Sequence, residues 1–277
     1  FFKELIKLRI EEAKQISNKL TPWETLAQPY EPDISKEWLF KMFEPLKEAI
    51  PSMLKNIKKI KKDNWDLNHN SQKYLCEKLL DLFGRDKNLV AVAESPHPFS
   101  ITLGPQDFRI TTRIVKGEPF SSLLATAHEW GHSIYEQGLP SQSHQWFAWP
   151  LGQATSMSIH ESQSLFWENR IVKSKSFSES FFEYFIEKGC PLKNHEELWK
   201  SMNTFKAGLN RVEADELSYG LHILIRTELE IKLIEGNLDP VDLPHEWNNM
   251  YEKLLGIKPP NDRLGCLQDV HWSEGAF

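Results

Sequence analysis

Apolar residues recur three or four positions apart along most of the chain, which is the spacing of one face of an α-helix. The clearest runs are Leu5, Leu8, Ile10 and Ile16, and then Leu217, Leu221, Leu224, Ile225, Leu229 and Leu233. No internal repeat and no low-complexity linker interrupts the chain. The pattern therefore predicts a mainly α-helical protein without a sharp domain boundary.

Two helix starts are indicated by capping residues. Asn194 with Glu197, and Ser176 with Glu179, have the spacing of capping boxes. In such a box each side chain accepts a hydrogen bond from an otherwise unpaired backbone N–H. We therefore predict that one helix starts at Asn194 and another at Ser176.

The stretch 99–115 departs from the helical spacing. Apolar and polar residues alternate in 99–102 and in 108–114, on either side of Gly104-Pro105-Gln106-Asp107. Alternation around a turn-forming segment is typical of a β-hairpin. The helical spacing then returns from Ser121 to Gln137, and Gly138-Leu139-Pro140 ends that helix.

The charge balance argues against one class of function. The net charge is -6 and the isoelectric point is about 6.0, whereas a nucleic-acid binder normally carries a basic stripe or patch. One basic cluster occurs at 55–62, but Asp63 and Asp66 follow it, which favours a solvated helix face. We expect no nucleic-acid partner.

The cysteines and the hydropathy bear on location. Cys76, Cys190 and Cys266 form no CxxC and no short pair, and an odd count without a spacing pattern fits free thiols in a reducing compartment. The sequence has no apolar run long enough for a membrane span and no signal-peptide pattern at its start. We expect a cytoplasmic protein with no membrane partner.

Candidate chemistry lies on the helix predicted from Ser121 to Gln137, in the segment His128-Glu129-Trp130-Gly131-His132. Residues four apart project from one face of a helix, so both imidazoles can reach a single tetrahedral ion. Glu129 lies about 100° around the helix from His128, where its carboxylate can take a proton from water at the ion. Gly131 inside a helix costs roughly 1 kcal/mol relative to alanine, which favours a functional reason for it. The segment indicates zinc and hydrolysis, rather than an exposed helix with two histidines.

A catalytic zinc needs a third protein ligand and one open position for water. The next helical segment offers His160 and Glu161, which begin 28 residues after His132. Adjacent side chains on a helix point in directions about 100° apart, so both cannot reach one ion equally well. We favour Glu161, with His160 as the alternative.

Six short blocks, in order along the chain, resemble the signature blocks of the carboxypeptidase Taq family of metallocarboxypeptidases. They are His97-Pro98-Phe99, Asp107-Phe108-Arg109-Ile110-Thr111, His128 to His132, His160-Glu161-Ser162-Gln163, Asn210-Arg211-Val212-Glu213-Ala214-Asp215, and Gly265-Cys266-Leu267-Gln268-Asp269-Val270-His271-Trp272. The region before 97 resembles the family's helical N-terminal part more loosely.

The resemblance implies a fold class. It implies a mainly α, large helical metallopeptidase with a small β-hairpin or sheet beside the active-site cleft. We accordingly predict one mostly helical catalytic region over 1–277, with a helical N-terminal part at 1–90 and a metallopeptidase core at 91–277. Phe1 opens inside a helical pattern, so we expect a fragment truncated at both ends. The family continues past the position of Phe277 with tyrosines that are expected to polarise the scissile carbonyl.

The resemblance also assigns roles to residues. It implies that His128, His132 and Glu161 bind the metal, and that Glu129 activates the water. It implies in addition that Arg211 binds the terminal carboxylate of the substrate. The planar donors of a guanidinium match two carboxylate oxygens.

Each proposed substrate contact has a structural alternative. Arg211 could instead form a surface ion pair with Glu213 or Asp215. Arg109 lies on the predicted hairpin, whose edge could pair with an extended peptide, but it could instead pair with Asp107.

Two histidines complete the candidate substrate contacts. His97 precedes a proline and is expected either in a turn or on the cleft wall. For His271 the resemblance suggests a wall of the active site, behind the metal ligands, and the alternative is packing.

The combined prediction is a zinc-dependent metallocarboxypeptidase that removes C-terminal amino acids from peptides, with cobalt or another divalent ion as possible substitutes for zinc. Its expected partners are a peptide with a free C-terminus and, by family resemblance, a second copy in a homodimer. Two alternatives stay open. One is a zinc endopeptidase or oligopeptidase, and the other is an inactive helical protein that binds a metal.

Overall fold

The structure is a computed structural model that describes residues 1–57, 65–205, 207–211 and 214–275. Most of the predicted basic cluster, from Lys58 to Lys62, lies outside the described residues, as do Val212 and Glu213.

The described residues form eleven α-helices and three short β-strands, which confirms the mainly α prediction. The helices are α1 (Phe2–Ile16), α2 (Pro22–Ala27), α3 (Lys36–Asn56), α4 (His69–Leu82), α5 (Ser121–Gln137), α6 (Met157–Leu165), α7 (Lys175–Glu187), α8 (His195–Met202), α9 (Glu216–Ile234), α10 (Leu243–Leu255) and α11 (His271–Glu274). The strands are β1 (Val90–Glu94), β2 (Ser100–Gly104) and β3 (Asp107–Thr112). A π-helical stretch, Phe166–Val172, follows α6 directly. Within the described residues, no helix is both long enough and apolar enough to cross a membrane.

The chain divides into two compact units. The first unit joins Phe1–Ile60 to Phe205–Phe277, and the second unit is Lys61–Thr204. The division predicted at residue 90 separates a helical N-terminal part from a metallopeptidase core, and contacts alone do not test it. It stays a prediction.

The core of the first unit is built around α9. The predicted apolar positions Leu221, Leu224, Ile225, Leu229 and Leu233 are all buried there. Around them pack buried side chains of α1, α2, α3 and α10, among them Ile6, Trp23, Phe43 and Trp247. The apolar residues at helical spacing in 217–233 therefore belong to a helix that neighbouring helices cover on several sides.

The second unit has two apolar clusters. One joins α4, α5, α7 and α8 through buried residues that include Leu79, Leu123, Phe181, Phe185 and Leu198. The other lies between the sheet and α5, where Val90, Phe108 and Ile110 pack with Trp130. Helix α5 contributes buried residues to both clusters, Leu123 and Ala127 to the first and Trp130 to the second.

The sheet has the strand order β1-β3-β2. The predicted hairpin is present, because β2 and β3 pair antiparallel with Ile101 opposite Arg109. The sequence analysis did not predict β1, which pairs parallel to β3 with Val92 opposite Ile110.

The helix caps are partly as predicted. Asn194 caps α8 by accepting a hydrogen bond from the backbone N–H of Glu197. The predicted start at Ser176 is wrong, because Ser174 is the cap of α7 and accepts from the backbone N–H of Phe177. A serine two residues earlier thus satisfies one of the free N–H groups of the first turn.

Candidate metal centre

Helix α5 presents its two histidines on the face opposite its core contacts. Leu123, Ala127 and Trp130 are buried in the two apolar clusters. His128 and His132 are only partly buried, and their ring centroids lie 4.9 Å apart. The observed bounds of this helix, Ser121–Gln137, are those predicted.

Helix α6 approaches α5 at Gly131. A Cβ atom placed on Gly131 would lie 2.5 Å from the Cα of Ser164 and 2.7 Å from the carbonyl oxygen of Gln163. Only glycine therefore permits the two backbones to pack at this distance. The close approach brings Glu161 of α6 to the two histidines of α5.

Three ligand atoms converge at this contact. The Oε2 atom of Glu161 lies 3.3 Å from the Nε2 atom of His132 and 3.6 Å from the Nε2 atom of His128. Zinc bonds of about 2.0–2.2 Å at the tetrahedral angle place two ligand atoms roughly 3.3–3.6 Å apart. Of the described residues, these three form the group whose ligand atoms lie within 4.8 Å of one another. Their spacing and their chemistry, two imidazoles and a carboxylate, fit a divalent metal.

The second nitrogen of each histidine is also engaged. The Nδ1 atom of His128 lies 2.9 Å from Glu168 Oε2, on the π-helical stretch. The Nδ1 atom of His132 lies 2.7 Å from His160 Nδ1, and His160 Nε2 lies 2.8 Å from Glu136 Oε1. These contacts leave both Nε2 atoms facing Glu161.

Glu129 is buried, with 7% of its surface exposed. Burial raises the pKa of its carboxyl to about 7. The charge of His128 lowers this pKa, and Glu161 and Glu168 raise it further. A carboxylate with a pKa near neutrality can both accept and return a proton at physiological pH.

His128 and Glu161 are coupled by charge. Burial opposes protonation of His128, but hydrogen bonds and charges from Glu161 and Glu168 outweigh it and raise the histidine pKa to about 10. Burial alone would raise the pKa of Glu161, yet the two histidines hold that pKa well below its usual range. The two histidines thus hold the Glu161 carboxylate ionised.

Two predicted substrate contacts lie in the second unit. Arg109 is exposed on β3 and makes two hydrogen bonds of 3.1 Å to Asp107, through Nε and Nη2. The structural alternative for Arg109 is therefore observed, and its substrate contact stays a prediction. His97 is exposed between β1 and β2, and its Nδ1 lies 2.7 Å from the carbonyl oxygen of Pro98. Its place on a cleft wall is likewise a prediction.

The other two predicted substrate contacts, Arg211 and His271, belong to the first unit. The backbone N–H of Arg211 donates to Gln268 Oε1 over 3.3 Å. The Nδ1 atom of His271 lies 2.6 Å from Asp269 Oδ1, and Asp269 also accepts from Arg226 Nε. The alternative ion-pair partner Glu213 lies outside the described residues. The roles of Arg211 and His271 toward substrate stay predictions.

Glu136 and Glu168 were missed by the sequence analysis. Glu136 lies four residues after His132, so it projects from the same side of α5. That spacing was a usable signal. Glu168 had none, because the π-helical stretch sets where its side chain points.

A helix that carries His-Glu-x-x-His, with a glutamate from the following helix, is the arrangement of a class of metallopeptidases. The chain matches the family model described as carboxypeptidase Taq (M32) metallopeptidase over residues 1–277, and it belongs to that family. Membership implies a divalent metal, and His128, His132 and Glu161 are a group that could hold it.

Individual relatives agree with the family. The chain is 38% identical to thermostable carboxypeptidase 1 of Thermus thermophilus, over 92% of this chain and 51% of that protein. It is 36% identical to carboxypeptidase 1 of Bacillus subtilis, over 92% of this chain and 52% of that protein. The solved structure of metallocarboxypeptidase 1 from Trypanosoma cruzi matches with a TM-score of 0.91 and 32% identity, over 100% of this chain and 59% of that one. The chain thus spans about half the length of the curated relatives it matches.

Proposed function

We propose that this chain carries the zinc centre of a metallocarboxypeptidase that removes C-terminal amino acids from peptides. The observation that carries the proposal is the convergence of His128 Nε2, His132 Nε2 and Glu161 Oε2 at tetrahedral spacing. The printed names of the relatives, which are carboxypeptidases, support the reaction.

Glu129 is the proposed general base. A zinc ion held by the three ligands would acidify the attacking water and polarise the scissile carbonyl. The Glu129 carboxylate takes the proton from the water and delivers it to the leaving amine. Burial, which raises the pKa of Glu129, makes its carboxylate a stronger base toward that proton.

Recognition of the substrate's free C-terminus is assigned to Arg211, with Arg109, His97 and His271 as further contacts. A guanidinium can donate two parallel hydrogen bonds to a terminal carboxylate. The support for these four residues is the family resemblance of their sequence blocks.

The proposal is tested by zinc analysis together with turnover of two matched peptides. One peptide has a free C-terminal carboxylate, and the other ends in an amide. We expect one equivalent of zinc, and cleavage of the free peptide only. Equal cleavage of the amide would instead identify an endopeptidase, and bound zinc without cleavage of either peptide would show that this chain binds the metal without being active by itself.

Two variants separate the ligand from the base. Glu161→Ala is expected to lose most of the bound zinc, because it removes the carboxylate ligand. Glu129→Gln is expected to retain zinc and to lower kcat by about 100-fold or more, because an amide cannot accept the proton. A full equivalent of zinc in Glu161→Ala would show that the ligand is wrongly chosen.

We also propose that the protein acts in the cytoplasm as a homodimer. The three cysteines are free thiols and are buried, which fits a reducing compartment. The dimer rests on the family resemblance. Light scattering tests it, since two chains of 32.3 kDa give 2 × 32.3 = 64.6 kDa.

A further inference from the structure

A chain of polar contacts leads from the metal centre into the contact between α5 and α6. His132 Nδ1 lies 2.7 Å from His160 Nδ1, and His160 Nε2 lies 2.8 Å from Glu136 Oε1. The side chains of His160 and Glu136 are 15% and 17% exposed. The ring of Tyr135 meets the His160 ring edge-on at 5.0 Å. His160 is therefore held in place by packing as well as by hydrogen bonds.

The placement of protons in this chain follows from what each nitrogen must do. For His132 Nε2 to bind a metal, that atom must be bare, so the ring proton must lie on Nδ1. Only one proton fits between the two Nδ1 atoms at 2.7 Å, so His160 Nδ1 must be the acceptor. His160 then carries its own proton on Nε2, where Glu136 Oε1 accepts it. The opposite assignment puts a proton on His132 Nε2 and blocks the ligand atom.

We propose that His160 and Glu136 are positioning residues that fix His132 in the tautomer whose Nε2 is free to bind the metal. The inference rests on the proposed metal centre and deepens it. Ligand histidines commonly donate their second N–H to a carboxylate or a carbonyl, as His128 does to Glu168. His132 instead reaches its carboxylate through a second imidazole.

This arrangement couples two functions of α6. Glu161 of this helix supplies a ligand atom, while its neighbour His160 orients a ligand on α5. Because adjacent residues on a helix project about 100° apart, one turn of α6 contacts His132 through both residues. His160 is thus an orienting group and not the third ligand.

The test compares two substitutions at His160, one that removes the hydrogen-bond acceptor and one that keeps it. His160→Phe keeps a ring against Tyr135 but has no acceptor, whereas His160→Gln keeps an oxygen that can accept from His132 Nδ1–H. Zinc affinity is measured by competition with a chelator, and the cobalt-loaded protein is followed by its visible absorption. We expect His160→Phe to weaken zinc binding by about 10–100-fold and to change the cobalt spectrum. His160→Gln should restore both readouts to within a few fold of the parent.

A third variant tests the carboxylate. Glu136→Gln keeps an oxygen that can accept from His160 Nε2–H but removes the charge, so its affinity should fall between the parent and His160→Phe. This variant and His160→Gln also serve if His160→Phe does not fold, and parent-like affinity and cobalt spectrum in Glu136→Gln would then count against the proposal.

The outcomes distinguish the inference from the proposed function. Parent-like zinc affinity and cobalt spectrum in His160→Phe would overturn the inference alone. Equal weakening in His160→Gln and His160→Phe would also overturn it, because the acceptor would then be irrelevant. If the parent itself binds no zinc, the proposed metal centre is wrong.

Discussion

His222 shows how strongly burial acts on a single ionisable side chain in this protein. It lies on α9 with 1% of its surface exposed, and its Nδ1 is 2.9 Å from the hydroxyl of Tyr251. Burial lowers the pKa of His222 to about 4, while Asp215 raises it and Arg211 lowers it by their charges. The folded protein therefore holds this imidazole neutral at a pH where the unfolded chain already binds a proton.

We predict that His222 makes the protein sensitive to mild acid. The ordinary histidine pKa is about 6.5. Above that pH His222 is neutral in the folded and in the unfolded protein, and it costs no stability. As the pH falls from 6.5 toward 4, His222 takes up a proton in the unfolded chain only, which lowers the free energy of unfolding. The loss is about 1.4 kcal/mol per pH unit. Between pH 7.5 and pH 5 the parent should lose about 2 kcal/mol more unfolding free energy than His222→Gln, measured by urea unfolding. Parallel pH profiles of the two proteins would contradict the prediction.

The residues of the site differ in how far the sequence could reveal them. His128, Glu129 and His132 follow from helical spacing alone. Glu161 could be proposed but not separated from His160, because the choice depends on how α6 is rotated against α5. In the structure Glu161 Oε2 faces the Nε2 atoms of His128 and His132, whereas His160 Nδ1 faces His132 Nδ1, which supports the proposal of Glu161 as the ligand.

At the scale of elements, the contact of α5 with α6 is the one that assembles the proposed site. The backbone of Ser164 and Gln163 occupies the space where a side chain at residue 131 would start. Gly220 on α9 offers a contrast, since a Cβ there would meet only Leu46 Cδ1 at 3.7 Å, an ordinary contact. Close packing therefore requires glycine at residue 131 but not at residue 220.

We predict opposite effects for alanine at these two positions. Gly131→Ala should destabilise the protein by about 1–3 kcal/mol, because two backbones must separate, and should weaken zinc binding by moving Glu161. Gly220→Ala should stabilise it by up to about 1 kcal/mol, because alanine is the better helix former. Thermal unfolding and zinc competition measure both effects. A neutral Gly131→Ala would mean that α6 shifts without cost.

The start of α7 provides a second matched pair. Ser174→Ala should cost about 1 kcal/mol, because it removes the side chain that accepts from Phe177 N–H. Ser176 is exposed and lies inside the helix. Ser176→Ala should therefore change the unfolding free energy by less than about 0.5 kcal/mol. Denaturant unfolding of both variants checks the assignment, and the reverse order would restore the cap predicted from sequence.

The elements that sequence could predict are those set by local spacing. Helix α5 and the hairpin of β2 and β3 carry complete patterns within a short stretch. Strand β1 carries only Val90-Ala91-Val92-Ala93-Glu94, and its parallel partner β3 lies beyond β2 in the chain. A parallel pairing has no local turn signal, so it was not predicted.

On the scale of the whole molecule, the two units are built from differently connected segments. The second unit is continuous, whereas the first joins the two ends of the chain. Side-chain contacts tie these ends together, as in the hydrogen bond of 2.6 Å from Trp23 Nε1 to Glu230 Oε1 and the ion pair of Lys47 with Glu228. Such pairings across more than 180 residues leave no mark on local spacing, and the sequence analysis accordingly found no boundary near residue 60 or 205.

We predict that zinc protects the second unit more than the first. All three proposed ligands lie between residues 128 and 161, and binding to the folded form stabilises what it touches. Backbone amide exchange should slow in α5 and α6 when zinc is added, and α9 and α10 should change little. The same experiment with cobalt serves as a control, because the visible absorption of the cobalt-loaded protein reports whether the site holds a metal. Equal protection of all four helices would show that the chain opens as one cooperative body.

The continuity of the second unit also bears on the order in which the protein can be assembled during synthesis. Every group described at the metal centre, from His128 to Glu168, is translated before α9, which begins at Glu216. Short loops close at low entropic cost, and domains completed early fold early. The nascent chain can therefore form its proposed metal centre while residues 1–57 still lack α9, the helix around which the core of the first unit is built.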